Sequence, residues 1–441
     1  MRRKALLWGL LVFVAVGIIC AGVWRQQQRM PAIVIPPRQY PPNNAYDAYK
    51  QIAQMWRDQQ RQDRRLQEIE RRLFDRGAPV QQVSPEDRAY YLQKMRPFLE
   101  AYRAHLNHPS VAVYEYDWRW PFPEFADFPE FADFRELALT ESLTIRDALA
   151  AGRAREAVQR ASDLTRFAAQ VRSDGIVIHY LVGSAIIHIG LAPIREGLPQ
   201  IQSPDALDAL VELAQRYEGQ RAPLRQIAQN EYYFGLSVYR DLQTGKLTPR
   251  DLEAYSGSPL GGNFFEEWLL NSGITIRWSL RPSLEEFQNY YDALFAELEK
   301  PFWARTPPRA APRHWLSNIT MSVLDQTILR EMTEVATVRL LGCAAAIRRW
   351  RQQHGAYPPS LEALQLGELM IDPFTGKPFV YRVDARRGFL LYSVGENRLD
   401  DGGRLSPDSH AGDLLPVSED ALPEKQRPRN TRLPSAPVWL R

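Results

Sequence analysis

The chain has 441 residues, 45% of them apolar and 24% charged, which is material for more than one core. Its 55 basic and 52 acidic side chains nearly cancel and no basic stripe stands out, so nothing supports a nucleic-acid partner. The only two cysteines, Cys20 and Cys343, exclude a disulfide framework, because one falls in an apolar N-terminal run and the other in a soluble helix.

Met1-Arg2-Arg3-Lys4 is a basic flank. Ala5 to Val23 then runs apolar and uncharged, long enough to cross the hydrocarbon core. Trp8 and Trp24 stand near its ends, where indole rings favour the interface. The expectation is a single-pass anchor in a bacterial inner membrane, touching lipid through residues 5–24. Its N-terminus stays cytoplasmic and the bulk of the chain is exported. A cleaved signal peptide fits less well, since the run is long for one and no Ala-x-Ala site follows. Cys20 follows Ile19, where lipidation needs a small residue, and reads as an apolar membrane residue. Residues 1–25 are thus stub and anchor. Residues 26–44 form a polar, proline-rich spacer, expected to run extended between bilayer and body.

Residues 45–300 read as a helical domain. Ala45 to Phe74 keeps a helical apolar period around a solvated polar run, Arg57 to Arg65. Ser84-Pro85-Glu86-Asp87 opens the next helix, with Ser as N-cap, Pro at the first helical position and acid in the first turn. His105 and His108 have a spacing that could hold a metal, but their place at a helix end before Pro109 favours capping. Val111 to Phe134 is dense in aromatics and prolines and carries Phe-Pro-Glu-Phe-Ala-Asp twice in tandem. It reads as a long loop that either fills a groove of its own domain or offers aromatic anchors to a partner. Leu137 to Val171 reads as a helical hairpin. With Leu149, Ala150, Ala151, Gly152, Ala157, Leu164 and Phe167 it is similar to tetratricopeptide repeats, without a clean second copy.

Ile176 to Leu191 is very apolar but short for a second span, and is expected to be a buried core helix. His179 and His188 fall on opposite faces of it, which argues against a shared metal. Ser203 to Tyr217 and Ala222 to Leu242 give two more amphipathic helices. Gly257 to Asn263 is Gly-rich but follows no strand and lacks Gly-Lys-Ser/Thr, so it is no phosphate loop. Phe264 to Leu270 and Pro282 to Leu298 look helical. Residues 301–330 are a connector and the start of a helix.

The C-terminal unit, residues 331–415, reads as a long amphipathic helix ended by His354-Gly355, a short helix from Leu361 to Leu369, and a turn at Asp372 to Pro378. Two strands follow, Phe379 to Val383 and Gly388 to Ser393, joined as a hairpin. In order, "HGAYPPSLEAL", "DPFTGKPFVYR", "FLLYSVGENRLDDGG" and "GDLL" resemble the globular end of the major pseudopilin of type II secretion systems. The resemblance implies a helix on a small antiparallel sheet, and a calcium ion in the loop after the "YSVG" strand. Its matching carboxylates here would be Asp400, Asp401, Asp408 and Asp413. Calcium takes six to eight hard oxygens in irregular loops, which such a loop can supply. The loop lacks EF-hand spacing, and the alternative is a solvated Asp/Gly turn that needs no ion. The chain also departs from pilin-type proteins: no Gly-Phe-Thr-Leu-Ile-Glu-like site precedes the apolar run, and the unit lies far from it. A borrowed module on another scaffold is the better reading. Residues 416–441 have linker composition and are expected to be disordered.

The fold class expected is therefore mainly α with a small C-terminal α+β domain. The function expected is that of a membrane-anchored, non-catalytic envelope protein that binds other envelope proteins. An accessory component of a type II secretion or pilus-like system is the alternative. A metal-dependent hydrolase is the alternative from another class, but His-Glu-x-x-His, Gly-x-Ser-x-Gly and Cys-x-x-Cys are all missing and the histidines are scattered. No motif sets an oligomeric state.

Overall fold

A computed structural model describes residues 12–22, 24–25, 30, 32–74, 83–113, 115–116, 129–248, 251, 274–306, 308, 312–321, 324–384, 388–403 and 414–418. The chain is mainly helical, with a small antiparallel sheet near its C-terminus. The described part of the apolar N-terminal run is α1 (Val12–Gly22), an exposed apolar helix. The rest of the expected anchor lies outside the described residues.

Residues 32–41 carry no helix, as the prolines require. They do not stand off from the body, however. Ile33 and Ile35 pack on the core, and Arg38 donates to Asn230 Oδ1 at 3.2 Å and to the Asp174 carbonyl at 3.1 Å. Asn44 then pairs with the Val111 backbone, donating at 3.0 Å and accepting at 2.8 Å. The spacer is therefore shorter in reach than its composition implied.

The helical period expected from Ala45 to Phe74 is carried by two helices, α2 (Ala45–Gln62) and α3 (Arg64–Phe74). Asp63 separates them, because its carboxylate accepts the Leu66 amide at 3.0 Å and starts a new helix. In α4 (Pro85–Ala104) Ser84 Oγ accepts the Asp87 amide at 3.1 Å, as its sequence predicts. Pro129 opens α5 (Pro129–Ala150), so the second Phe-Pro-Glu-Phe-Ala-Asp unit is mostly helix, not loop. Residues 117–128 lie outside the described residues.

The hairpin expected over Leu137 to Val171 is present. Its arms are α5 and α6 (Ala154–Arg172), joined through Gly152 at φ 74°. Then come α7 (Val177–Gly197), α8 (Pro204–Gln220) and α9 (Leu224–Thr244). They stack as hairpins do in helical repeats: α7 lies on both α5 and α6, and α8 returns against α6. The one span among the described residues long and apolar enough to cross a membrane, Val177–Gln200, is 72% buried inside this stack. The Gly-rich loop and the helix expected at 264–270 lie outside the described residues. A further pair, α10 (Ile274–Leu298) and α11 (Trp315–Thr320), follows, with α10 against α9.

The last helix, α12 (Asp325–His354), ends at Gly355 with φ 73°, the left-handed cap its sequence predicts. It does not head a separate core. It lies along α8 and touches α7, and Gly342 makes the approach possible: a Cβ there would sit 2.6 Å from Ala214 Cβ. One apolar cluster runs from Ala45 through α12 to Val394, so the expected boundary at 330/331 falls inside a helix shared by both parts. The short helix expected at 361–369 is instead two 3-10 turns, Glu362–Leu364 and Gly367–Met370, parted where Gln365 turns left-handed at φ 54°.

Strands β1 (Val380–Asp384) and β2 (Gly388–Ser393) pair antiparallel, Val380 opposite Tyr392. β3 (Leu414–Ser418) adds to the other edge of β2, so the chain expected to leave the fold at 416 pairs as far as Ser418. Residues 419–441 lie outside the described residues.

Candidate interaction groove

Four arginines converge where the α5–α6 turn meets the start of α8. The groove has a volume of about 720 Å³ and is lined by Arg103, Arg153, Arg155, Arg160, Ser203 and Asp205, among others. Gly152 and Ala154 bring backbone into the wall, and Arg153, at the N-cap of α6, gives no side-chain cap. The start of α6 thus lies at the groove without a side-chain cap, and the helix dipole adds positive potential at that end.

The arginines are positioned by carboxylates. Glu156 accepts from Arg160 Nη2 at 2.8 Å and from Arg153 Nε at 2.8 Å, and these bonds hold it below its ordinary pKa. Buried Glu141 accepts from Arg103 and lies 3.6 Å from Arg160. Arg155 is exposed and donates to the Asp205 carbonyl at 2.8 Å. Farther along, between α6 and α8, exposed Arg216 donates to Ser162 Oγ at 2.9 Å. Among the described residues neither Arg155 nor Arg216 forms an ion pair. The face therefore offers planar, bidentate donors to a carboxylate or other oxyanion.

Beneath this face lies a buried polar knot. Arg172 of α6 and Glu334 of α12, 1% and 0% exposed, form a bidentate pair at 2.7 and 2.6 Å. Ser184 of α7 and Tyr217 of α8 each donate to the same carboxylate at 2.6 Å. Burial alone would raise Glu334, but Arg172 outweighs it and brings the carboxyl down to about 2. Gly183 leaves room for the guanidinium, since a Cβ there would stand 2.6 Å from Arg172 Cγ. The knot joins four helices in one register.

The residues singled out by sequence fare differently. Asp400 accepts from Arg382 at 2.8 Å, from Tyr392 and from the Gly402 amide at 2.9 Å. Asp401 accepts from Asn397 at 2.9 Å. A cation at Asp400 would have to compete with Arg382. Asp408 and Asp413 lie outside the described residues, and no group of three or more His, Cys, Asp or Glu that could hold a metal is found among those described. His105 and His108 face each other through their Nδ1 atoms at 3.1 Å and belong to no larger group of potential metal ligands among the described residues. His179 is a core side chain between Tyr46 and Phe131, and burial pushes it down to about 3. Cys343 is buried with its thiol pushed up to about 12, which makes it a poor nucleophile. Of the aromatic stretch, Val113 and Tyr116 pack with Ile176 and Phe234, so this part fills a groove of its own fold.

The groove was not anticipated, because Arg153, Arg155 and Arg160 read locally as a solvated face. Their crowding in the first turns of α6 is a signal. The partners Arg103 and Asp205 come from far along the chain. No family model matches the chain, and no curated protein or solved structure is found similar to it.

Proposed function

We propose that this is a membrane-anchored, non-catalytic protein of the bacterial inner membrane, whose exported helical body binds other envelope proteins at the arginine groove. The anchor rests on the basic flank and the apolar run from Ala5 to Val23. The binding role rests on one observation above all: a groove of about 720 Å³ on a stacked-hairpin surface, walled by guanidinium groups. The lining supplies hydrogen-bond donors and positive charge, which suits capture of a partner's acidic segment. A second reading, an accessory component of a type II secretion or pilus-like system, rests on the motif order in residues 331–415.

The test uses the full chain in detergent micelles and a fluorescent Asp/Glu-rich peptide, with a Lys-rich peptide of equal length as control. Binding of the acidic peptide is expected to weaken at least tenfold in Arg155→Glu and Arg153→Glu, both of which line the groove, and to fall with added salt. Equal binding of both peptides, or no effect of either variant, would refute the groove. The anchor is tested separately, by protease added to intact spheroplasts. Protection of residues beyond the apolar run would reverse the topology.

A further inference from the structure

The turn after α4 carries a second candidate site, independent of the groove. His105 is the C-cap residue of α4, and the amide of His108 bonds to its carbonyl at 3.0 Å. Capping is not what the two rings do. Their Nδ1 atoms stand 3.1 Å apart while the ring centroids are 5.1 Å apart, so the two Nδ1 edges are turned towards each other. His105 is half-buried and His108 exposed, so an ion in solvent can reach both.

The turn is held from below. Gln170 of α6 donates through Nε2 to the His105 carbonyl at 3.1 Å and to the His108 carbonyl at 2.8 Å. Its Oε1 accepts from Tyr49 of α2, whose ring meets His105 edge-on at 6.4 Å between centroids. Arg166, one turn earlier on α6, donates to the Leu106 carbonyl at 3.1 Å and to Asn107 Oδ1. Its charge is shared with Asp163, 4.0 Å away. Helices α2 and α6 thus fix the backbone that bears both rings, and little conformational freedom is left to lose when the rings take a common ligand.

Two nitrogens at this separation suit one metal ion. With metal–imidazole bonds of about 2.0–2.1 Å, 3.1 Å between nitrogens closes an angle of about 100° at the metal. That lies between the angles of about 90° and about 109° preferred by tetragonal and tetrahedral ions. Without a metal, one ring carries its proton on Nδ1 and donates to the other. With a metal, both protons sit on Nε2, so a neutral pair binds by changing one tautomer and loses no proton. Imidazole suits Ni2+, Cu2+ and Zn2+, whereas calcium takes oxygen.

We propose that His105 and His108 bind one divalent transition-metal ion through their two Nδ1 atoms. Two protein donors leave at least two coordination positions open to water, unlike a closed four-ligand structural site. The ion is therefore exchangeable, and the fold does not depend on it.

The experiment is calorimetric titration of NiCl2 into the untagged full chain, in detergent micelles and a non-chelating buffer at pH 8, where a free imidazole is neutral. The wild-type chain should take up nickel at a site that calcium does not compete for. His105→Asn and His108→Asn should each weaken that site at least tenfold, since each leaves a single imidazole and ends the chelation. His354→Asn, an exposed histidine outside the turn, should bind as the wild type does. Electron paramagnetic resonance with Cu2+ gives a readout that a merely structural role would not move: coupling to two imidazole nitrogens in the wild type and to one in either turn variant. Far-ultraviolet circular dichroism reports that each variant keeps its fold. Nickel affinity within about twofold of wild type in both turn variants would overturn the site. So would the absence of nickel heat up to millimolar nickel.

Discussion

The Arg172–Glu334 pair yields the sharpest energetic prediction. Both side chains are buried, and the carboxylate receives four hydrogen bonds from α6, α7 and α8. Arg172→Met leaves a buried carboxylate with Ser184 and Tyr217 alone. Glu334→Leu leaves a buried guanidinium with Tyr180 alone, whose carbonyl is 3.2 Å from Nε and whose ring centroid is 4.3 Å from Cζ. Removing one partner of such a pair costs about 3–5 kcal/mol, because the survivor stays desolvated and uncompensated. Removing both deletes the charge problem together with the bond, so the double variant should cost about 3 kcal/mol or more below the sum of the singles. Urea unfolding at pH 7, followed by far-ultraviolet circular dichroism, measures all three. The acid limb supplies a second check. Glu334 is held at about 2, below its unfolded value, so its contribution is complete above the unfolded pKa and is lost as pH falls towards 2. Glu334→Gln should flatten that limb. Single variants costing under about 1 kcal/mol, or costs that simply add, would mean that the knot does not join α12 to the body.

Gly342→Ala should destabilise the chain by about 1–3 kcal/mol through overpacking against Ala214, read as a lower urea midpoint at unchanged slope. The same substitution at Gly355, beyond the end of α12, should cost about 1 kcal/mol through its left-handed backbone. For the loop after β2, the calcium ion that the pseudopilin resemblance implies would make millimolar calcium raise the Tm of the full chain, and Asp400→Asn and Asp401→Asn would abolish the rise. An unchanged Tm would remove the ion from the loop.

Local chemistry was legible along the chain wherever a residue's partner lies within a turn or two of it. Ser84 caps α4 through an amide three residues on, and Gly355 ends α12, because both depend on backbone geometry that neighbours set. The apolar run of α7 read as a core helix, but the observed span, Val177–Gln200, is long and apolar enough to cross a membrane, and its burial in the stack is what makes it core. Pro129 was misread for a local reason: it is a helix-start residue inside a stretch whose aromatics and prolines pointed to a loop.

What the sequence by itself determined is a helical body with a small antiparallel sheet at its end, since apolar period, caps and turn residues act over a few positions. Only the tertiary structure decided which distant charges meet. Arg172 finds Glu334 across 162 positions, and Arg103 and Asp205 complete a groove begun by the first turn of α6. In sequence each of these reads as a solvated charge. Packing takes them out of water, and a charge so removed must find a counter-charge, a donor or a proton, which no local pattern can name.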